Sequence, residues 1–371
     1  MALGAVSLLV IVGGRPAAAE GSEDLEVSGE VEFYFEVGRT NWNGDYNQGQ
    51  RGKKYWSSYF GDGQEEAYDL QLTRFKEAEL KFKKNTKIND TWTMTNEIEI
   101  ELKAVNANVK ANDYDLEEAS ATFMNTSGLF IAVGILEDKK LYEGGLTLEA
   151  ASADAKGFDE QPSFRIGYKI GDLTVDGRYH SIGLEESSGD FDKTVTQQLI
   201  RLQVEYKKKG AFKAIATFTT VSSNNKRNKN YQTAVSELEG DAASLDAYDA
   251  EGIDTYTVIG LGTVFDLDAI LPSVTIEQWA ADENDGATTY DTQIITLGIT
   301  MQRLGPADLV LELELGSSDI SGKAVASQVI SAEYLWRIGK SKWGPGFKTF
   351  SNDAGEALTG TILYGGGEWK F

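Results

Sequence analysis

Residues Thr91–Ala104 read Thr-Trp-Thr-Met-Thr-Asn-Glu-Ile-Glu-Ile-Glu-Leu-Lys-Ala. Trp92, Met94, Ile98, Ile100, Leu102 and Ala104 fall on one parity, interrupted only by Asn96. Thr91, Thr93, Thr95, Glu97, Glu99, Glu101 and Lys103 fall on the other. Successive side chains of a β-strand point to opposite faces, so this spacing predicts a strand with one apolar and one wet surface. A helix would scatter the same residues around its circumference.

The signature recurs in both directions along the chain. Leu25, Val27, Val31, Phe33, Phe35 and Val37 alternate with Ser28, Glu30, Glu32, Tyr34 and Glu36. Phe164, Ile166, Tyr168 and Ile170 alternate with Arg165, Gly167 and Lys169, and Ile200, Leu202, Val204 and Tyr206 with Arg201, Gln203 and Glu205. Leu309, Leu311, Leu313 and Leu315 repeat the pattern, and Ala326, Ile330, Ala332, Tyr334, Trp336 and Ile338 share a face. Strands are expected to begin near residues 25, 67, 90, 115, 129, 162, 172, 194, 211, 253, 271, 290, 307, 324, 346 and 357. That is about sixteen, an even number. Between Leu70 and Phe82 the parity breaks, because Arg74 and Lys76 fall in line with Leu70, Leu72, Leu80 and Phe82; a bulge is the expected cause.

The connections alternate in length. Asn125 to Gly128, Gly171-Asp172, Lys207 to Gly210 and Leu304-Gly305-Pro306 are short, whereas Gly38 to Glu66, Leu136 to Gln161 and Ser222 to Gly252 are long and polar. Short turns on one side and long loops on the other describe an antiparallel, up-and-down transmembrane β-barrel with its long loops outside. The apolar faces then meet lipid and the charged faces a wet interior. Tyr168, Tyr206, Tyr334, Trp336 and Trp369 near strand ends fit aromatic girdles at the two interfaces.

At the N-terminus, the short apolar run Ala5–Val12 leads to Ala17-Ala18-Ala19-Glu20, which reads as a secretory signal ending at Ala19. Residues 20–371 then form one domain, with no boundary inside. The chain has no cysteine, so disulfides, zinc thiolates and cysteine nucleophiles are excluded. Its one histidine, His180, excludes a multi-histidine metal site. Ser181 is adjacent to His180 and so points to the opposite face of a strand, which leaves no hydrolytic dyad. No enzyme activity, cofactor or metal site is expected. A net charge of −23 argues against nucleic acid, whose phosphates require clustered Lys and Arg.

The chain ends Leu363-Tyr364-Gly365-Gly366-Gly367-Glu368-Trp369-Lys370-Phe371, with Leu363, Trp369 and Phe371 on one parity. This resembles the last strand of Gram-negative porins, where a terminal aromatic closes the barrel and is read by the barrel-assembly machinery. Leu129–Ile135, fifth in the strand count, is similar to the porin strand that precedes an inward-folded third loop. The resemblance is to the architecture of general, trimeric porins over nearly the whole chain. It implies export through the periplasm, an outer-membrane location in contact with lipid, a homotrimer, and passive diffusion of small hydrophilic solutes and ions through a water-filled pore. It further implies that the loop Leu136–Gln161 carries Glu137, Asp138, Glu143, Glu149, Asp154, Asp159 and Glu160 into the constriction. Porins oppose such acids with a basic wall, for which Arg165, Arg178 and Arg201 are the candidates. Here the chain departs from that pattern: Glu30, Glu32, Glu97, Glu99 and Glu101 make one sector of the wall acidic, and cations are the expected preferred ions. Two alternatives stand beside a general pore. One is a substrate-specific carbohydrate channel using Tyr34, Trp42, Tyr55 and Trp56; the other is a barrel sheathing a redox or adhesive partner.

Overall fold

A computed structural model of the chain describes residues 25–41, 68–103, 114–136, 162–185, 194–223, 253–283, 289–320, 323–352 and 358–371. The segment 1–19 expected as a signal lies outside them. Sixteen strands run in chain order: β1 (Leu25–Asn41), β2 (Tyr68–Lys87), β3 (Trp92–Lys103), β4 (Tyr114–Asn125), β5 (Leu129–Ile135), β6 (Pro162–Ile170), β7 (Leu173–Glu185) and β8 (Thr194–Lys208). They continue as β9 (Phe212–Ser223), β10 (Ile253–Phe265), β11 (Ile270–Glu283), β12 (Thr289–Leu304), β13 (Ala307–Ile320), β14 (Lys323–Ile338), β15 (Ser341–Asn352) and β16 (Leu358–Lys370). Each pairs antiparallel with its sequence neighbours, and β1 pairs with β16, so the sheet closes on itself. Closure leaves no strand edge, the condition for a sheet to stand in a bilayer without unpaired backbone groups.

The alternation resolves into an outer and an inner surface. On β3, Ile98 is exposed while its neighbour Glu99 is buried. On β8, Ile200, Leu202 and Val204 are exposed, and Arg201, Gln203 and Glu205 are buried. An ordinary globular domain has the reverse arrangement. Here the exposed residues are the large aliphatics, and the charged groups lie packed along the inner wall.

One end of the barrel is made of tight connections, such as residues 171–172, 209–211 and 339–340. Gly171 supports one of them with a φ of 57°, a conformation that costs other residues energy. At the opposite end the connections are long between β1 and β2, β5 and β6, and β9 and β10. The expected contrast fades late in the chain, where only residues 321–322 separate β13 from β14. The aromatics expected at two interfaces all belong to the tight-turn end. Tyr334, Trp336 and Trp343 stack there, with ring centroids 5.6 and 4.9 Å apart.

The parity break in β2 is a pair of bulges. The β1–β2 register shifts between Glu32 and Phe33, where Lys76 is the extra residue, and again between Tyr34 and Glu36. Strand β15 begins at Ser341, ahead of the expected 346, and takes Gly344-Pro345-Gly346 into the sheet. Gly346 is filled from the next strand: the Tyr364 ring lies over it, where a Cβ would stand 2.3 Å from Tyr364 Cζ. From there the Tyr364 hydroxyl donates to Glu333 Oε1 at 2.5 Å. Closure is completed past the end of β16. Phe371 exchanges backbone hydrogen bonds of 3.0 and 3.3 Å with Gly29, and its ring covers that glycine.

Candidate functional site: the charged inner wall

The inner surface of β1–β4 is acidic but carries its own cations. Glu30 stands directly opposite Glu79, and Glu79 opposite Glu101, a row of three carboxylates across three strands. Like charges placed directly opposite one another cost stability. The neighbouring positions supply compensation. The Lys81 ammonium lies 2.6 Å from Glu99 Oε2, 2.9 Å from Glu97 Oε1 and 3.7 Å from Glu118 Oε2. Lys83 reaches Glu97 Oε2 at 3.3 Å, and Lys370 bridges Glu30 at 2.7 Å and Glu368 at 2.5 Å across the closing seam. Of the acids singled out from sequence, Glu97 and Glu99 are therefore joined through Lys81, and Glu30 and Glu101 flank Glu79. Glu32 pairs with Glu77 and Glu368 in the backbone register, and its side chain lies outside the described residues. The sector expected to be acidic thus also holds lysines, and Lys81 and Lys83 share the parity of Glu77 and Glu79.

The second feature lies on β6–β8. Arg165 is the direct cross-strand partner of Arg178, and Arg178 of Arg201. The three candidates thus form a continuous row, and Arg178 and Arg201 are each only 2% exposed. Side-chain contacts anchor the row: Arg178 Nε donates to Ser163 Oγ at 2.9 Å, and Arg165 Nε lies 3.8 Å from Asp176 Oδ1. His180 follows Arg178 on the inner face and directs Nδ1 at the Pro162 carbonyl. A carbonyl can only accept, so Nδ1 carries the proton. On the other side of Arg201 the wall turns neutral, through Thr219 and then Val258.

A third group joins Glu312, which has the wet parity of its strand, to two glutamates not singled out from sequence. Glu277, Glu312 and Glu333 are buried on β11, β13 and β14. Half a turn of a sixteen-strand barrel is eight strands, so β7 faces β15, whose neighbours β14 and β16 carry Glu333 and Glu368. β15 itself carries Lys342, 3.9 Å from Glu368, and the buried Lys348, so the arginine row looks toward a wall of both signs.

The loop acids Glu137, Asp138, Glu143, Glu149, Asp154, Asp159 and Glu160 lie outside the described residues, as do Trp42, Tyr55, Trp56 and the side chain of Tyr34. Leu136, which leads into that loop from the fifth strand, is 2% exposed. Among the described residues no three His, Asp or Glu side chains are grouped to hold a metal.

No family model and no curated protein sequence matches the chain. Solved structures do match in fold. The anion-selective porin of Comamonas acidovorans superposes with a TM-score of 0.61 at 13% identity, over 94% of this chain and 99% of that one. The outer membrane channel DcaP of Acinetobacter baumannii gives 0.61 at 14% identity, over 95% and 99%. The trimer form of the Vibrio cholerae outer membrane protein OmpT gives 0.58 at 11% identity, over 94% and 99%. The chain thus shares its fold with these proteins over nearly their whole length.

Proposed function

We propose that this chain, folded as the sixteen-stranded outer-membrane channels are, is a porin: a barrel in a Gram-negative outer membrane that lets small hydrophilic solutes and ions diffuse through a water-filled pore. One observation carries the reading. The outer face is aliphatic and exposed, and the inner face is charged, along the same strands. Only a bilayer around the barrel and water within it satisfy both surfaces at once. The proposal extends to export through the periplasm, with residues 1–19 as the signal, to insertion by the barrel-assembly machinery, and to a homotrimer. The support for trimers is the trimer form of the Vibrio cholerae protein.

A pore of this kind performs no bond chemistry. It selects by width and by the charges a permeating ion passes. Low-dielectric walls concentrate the field of those charges in the lumen. A cation traversing this barrel meets the Glu30–Glu79–Glu101 row and the carboxylates of β11–β14; an anion meets Arg165, Arg178 and Arg201. Acids outnumber the bases, and we propose that cations are preferred. The loop acids of residues 137–160 are proposed to strengthen that preference at the constriction.

The test is conductance of the folded, purified protein in a planar bilayer under a KCl gradient. Steady current steps with a cation-selective reversal potential are expected. Anion selectivity would show that the arginine row governs permeation, and silence from demonstrably folded protein would overturn the open-pore reading.

A further inference from the structure

The outer face of the barrel is not uniformly convex. On β9, Ala214 and Ala216 stand between Val204 and Tyr206 of β8 and Leu261 and Ile276 of β10 and β11. The small residues leave an apolar groove of about 310 Å³ between large neighbours, on the side that faces lipid. At its tight-turn end the groove is bordered by Tyr206, Phe212 and Phe265, an aromatic chain with centroids 5.2 and 6.2 Å apart.

The charges at this end are arranged by side. Lys208 shares the outward face with Tyr206, two residues away or about 7 Å along the strand, and Lys209 follows in the turn; both are exposed. Lys207 and Lys213 belong to the inner parity, and Lys213 lies 4.0 Å from Glu205. On the other side of the groove, the next turn carries exposed Asp266 and Asp268. The two turns are tied together by Asp266 N donating to Ala211 O at 2.7 Å. Cations on one side and carboxylates on the other, above an apolar slot, complement a headgroup that carries both signs.

We infer that this groove is a binding site for one phosphatidylethanolamine of the periplasmic leaflet. An acyl chain lies along Ala214 and Ala216, the phosphate meets Lys208 and Lys209, and the primary ammonium meets Asp268. Asp266 is partly committed, since its Oδ1 accepts from the Asp268 backbone N–H at 3.2 Å. The site rests on the proposed membrane-spanning reading, because only a barrel in a bilayer presents this face to lipid.

Native mass spectrometry of the detergent-folded protein tests it, with phosphatidylethanolamine, phosphatidylglycerol and phosphatidylcholine of identical chains added in equal amounts. The phosphatidylethanolamine adduct is expected to exceed each of the others by roughly fivefold, the effect of one favourable charge at a membrane surface. Phosphatidylglycerol lacks the ammonium, and the trimethylated ammonium of phosphatidylcholine cannot donate to Asp268. Lys208→Gln with Lys209→Gln should lower the retained phosphatidylethanolamine, and Asp268→Asn should erase its advantage over phosphatidylglycerol. Ala216→Phe, which fills the groove, should abolish the adduct. Equal or stronger retention of phosphatidylglycerol by the wild type overturns the inference, as does a preference that survives Ala216→Phe. A change of oligomer mass in that variant with lipid retention intact would assign the groove to contacts between copies and overturn it too. The turn variants are at exposed positions and carry the test if Ala216→Phe does not fold. Failure of the wild type to insert into liposomes would instead sink the membrane reading, a separate and visible outcome.

Discussion

The acidic wall of β1–β4 and the arginine row of β6–β8 each set three like charges directly opposite one another across three strands, and they differ in the counter-charges around them. In the first, charges of both signs interleave, and Lys81 alone gathers Glu97, Glu99 and Glu118 within 3.7 Å. In the second, three cations of one sign stand directly opposite one another across three strands. The comparison teaches that a net charge of −23 does not describe the field along the inner wall. Where a lysine sits among carboxylates, much of their field is cancelled within a few ångströms. The arginine row has partners of its own, Asp176 at 3.8 Å from Arg165 and Ser163 at 2.9 Å from Arg178, but its three guanidiniums stand beside one another, an arrangement of like charges that costs stability.

Four measurements would break or sharpen this contrast. Lys81→Glu should have the largest effect, because it removes the counter-ion of three carboxylates and adds a fourth. We expect a loss of about 2 kcal/mol, below the range for fully buried pairs because Lys81 is partly exposed, read from urea unfolding in lipid vesicles. An unchanged unfolding midpoint would mean that lumen water, and not Lys81, compensates the acids. Next, Arg178→Glu with Arg201→Glu should raise the cation-to-anion permeability ratio about tenfold, read as a shift in reversal potential. No shift would remove the arginine row from the permeation path. Glu99→Gln should do less: it deletes one of three partners of Lys81, and a cost of about 0.5 kcal/mol with a small decline in cation preference is expected. The smallest change needs no substitution. Raising KCl from about 0.1 M to about 1 M shortens the screening length from about 10 Å to about 3 Å, and should reduce the selectivity of the wild type and of the arginine variant toward the same low value. Persistent selectivity at high salt would point to steric or close-contact discrimination.

The strands themselves were legible. Period-two alternation is a local property, and it placed fifteen of the strand starts close to where they lie, including the bulged β2. The exception is instructive. Gly344-Pro345-Gly346 carries the residues of a turn, yet it stands inside β15. The sheet tolerates it because Tyr364, brought alongside by the β15–β16 register, fills the space over Gly346 and bonds Glu333. No reading of residues 341–352 in isolation could find that partner. The site was legible in part for the same reason. Arg165, Arg178 and Arg201 share the inner parity of three consecutive strands, and that much is local. The compensation of the glutamates by Lys81 and Lys83 was within reach, since both lysines keep the parity of Glu79; summing charge over the whole inner face of β2 and β3 would have revealed it.

By itself the sequence determined the number of strands, which residues point inward, which turns are tight and that the terminal Phe371 lies on the outward parity. Each of these follows from neighbours along the chain, where side-chain direction has period two and turn chemistry is confined to a few residues. Only the tertiary structure decided that the three arginines are direct partners, that Lys81 serves three carboxylates, that Phe371 covers Gly29, and that two alanines on β9 open a groove between larger neighbours. Those facts depend on register. Register is set by hydrogen bonds between segments far apart in the chain, as when β1 meets β16, and a slip of one residue would have exchanged every inner side chain for an outer one.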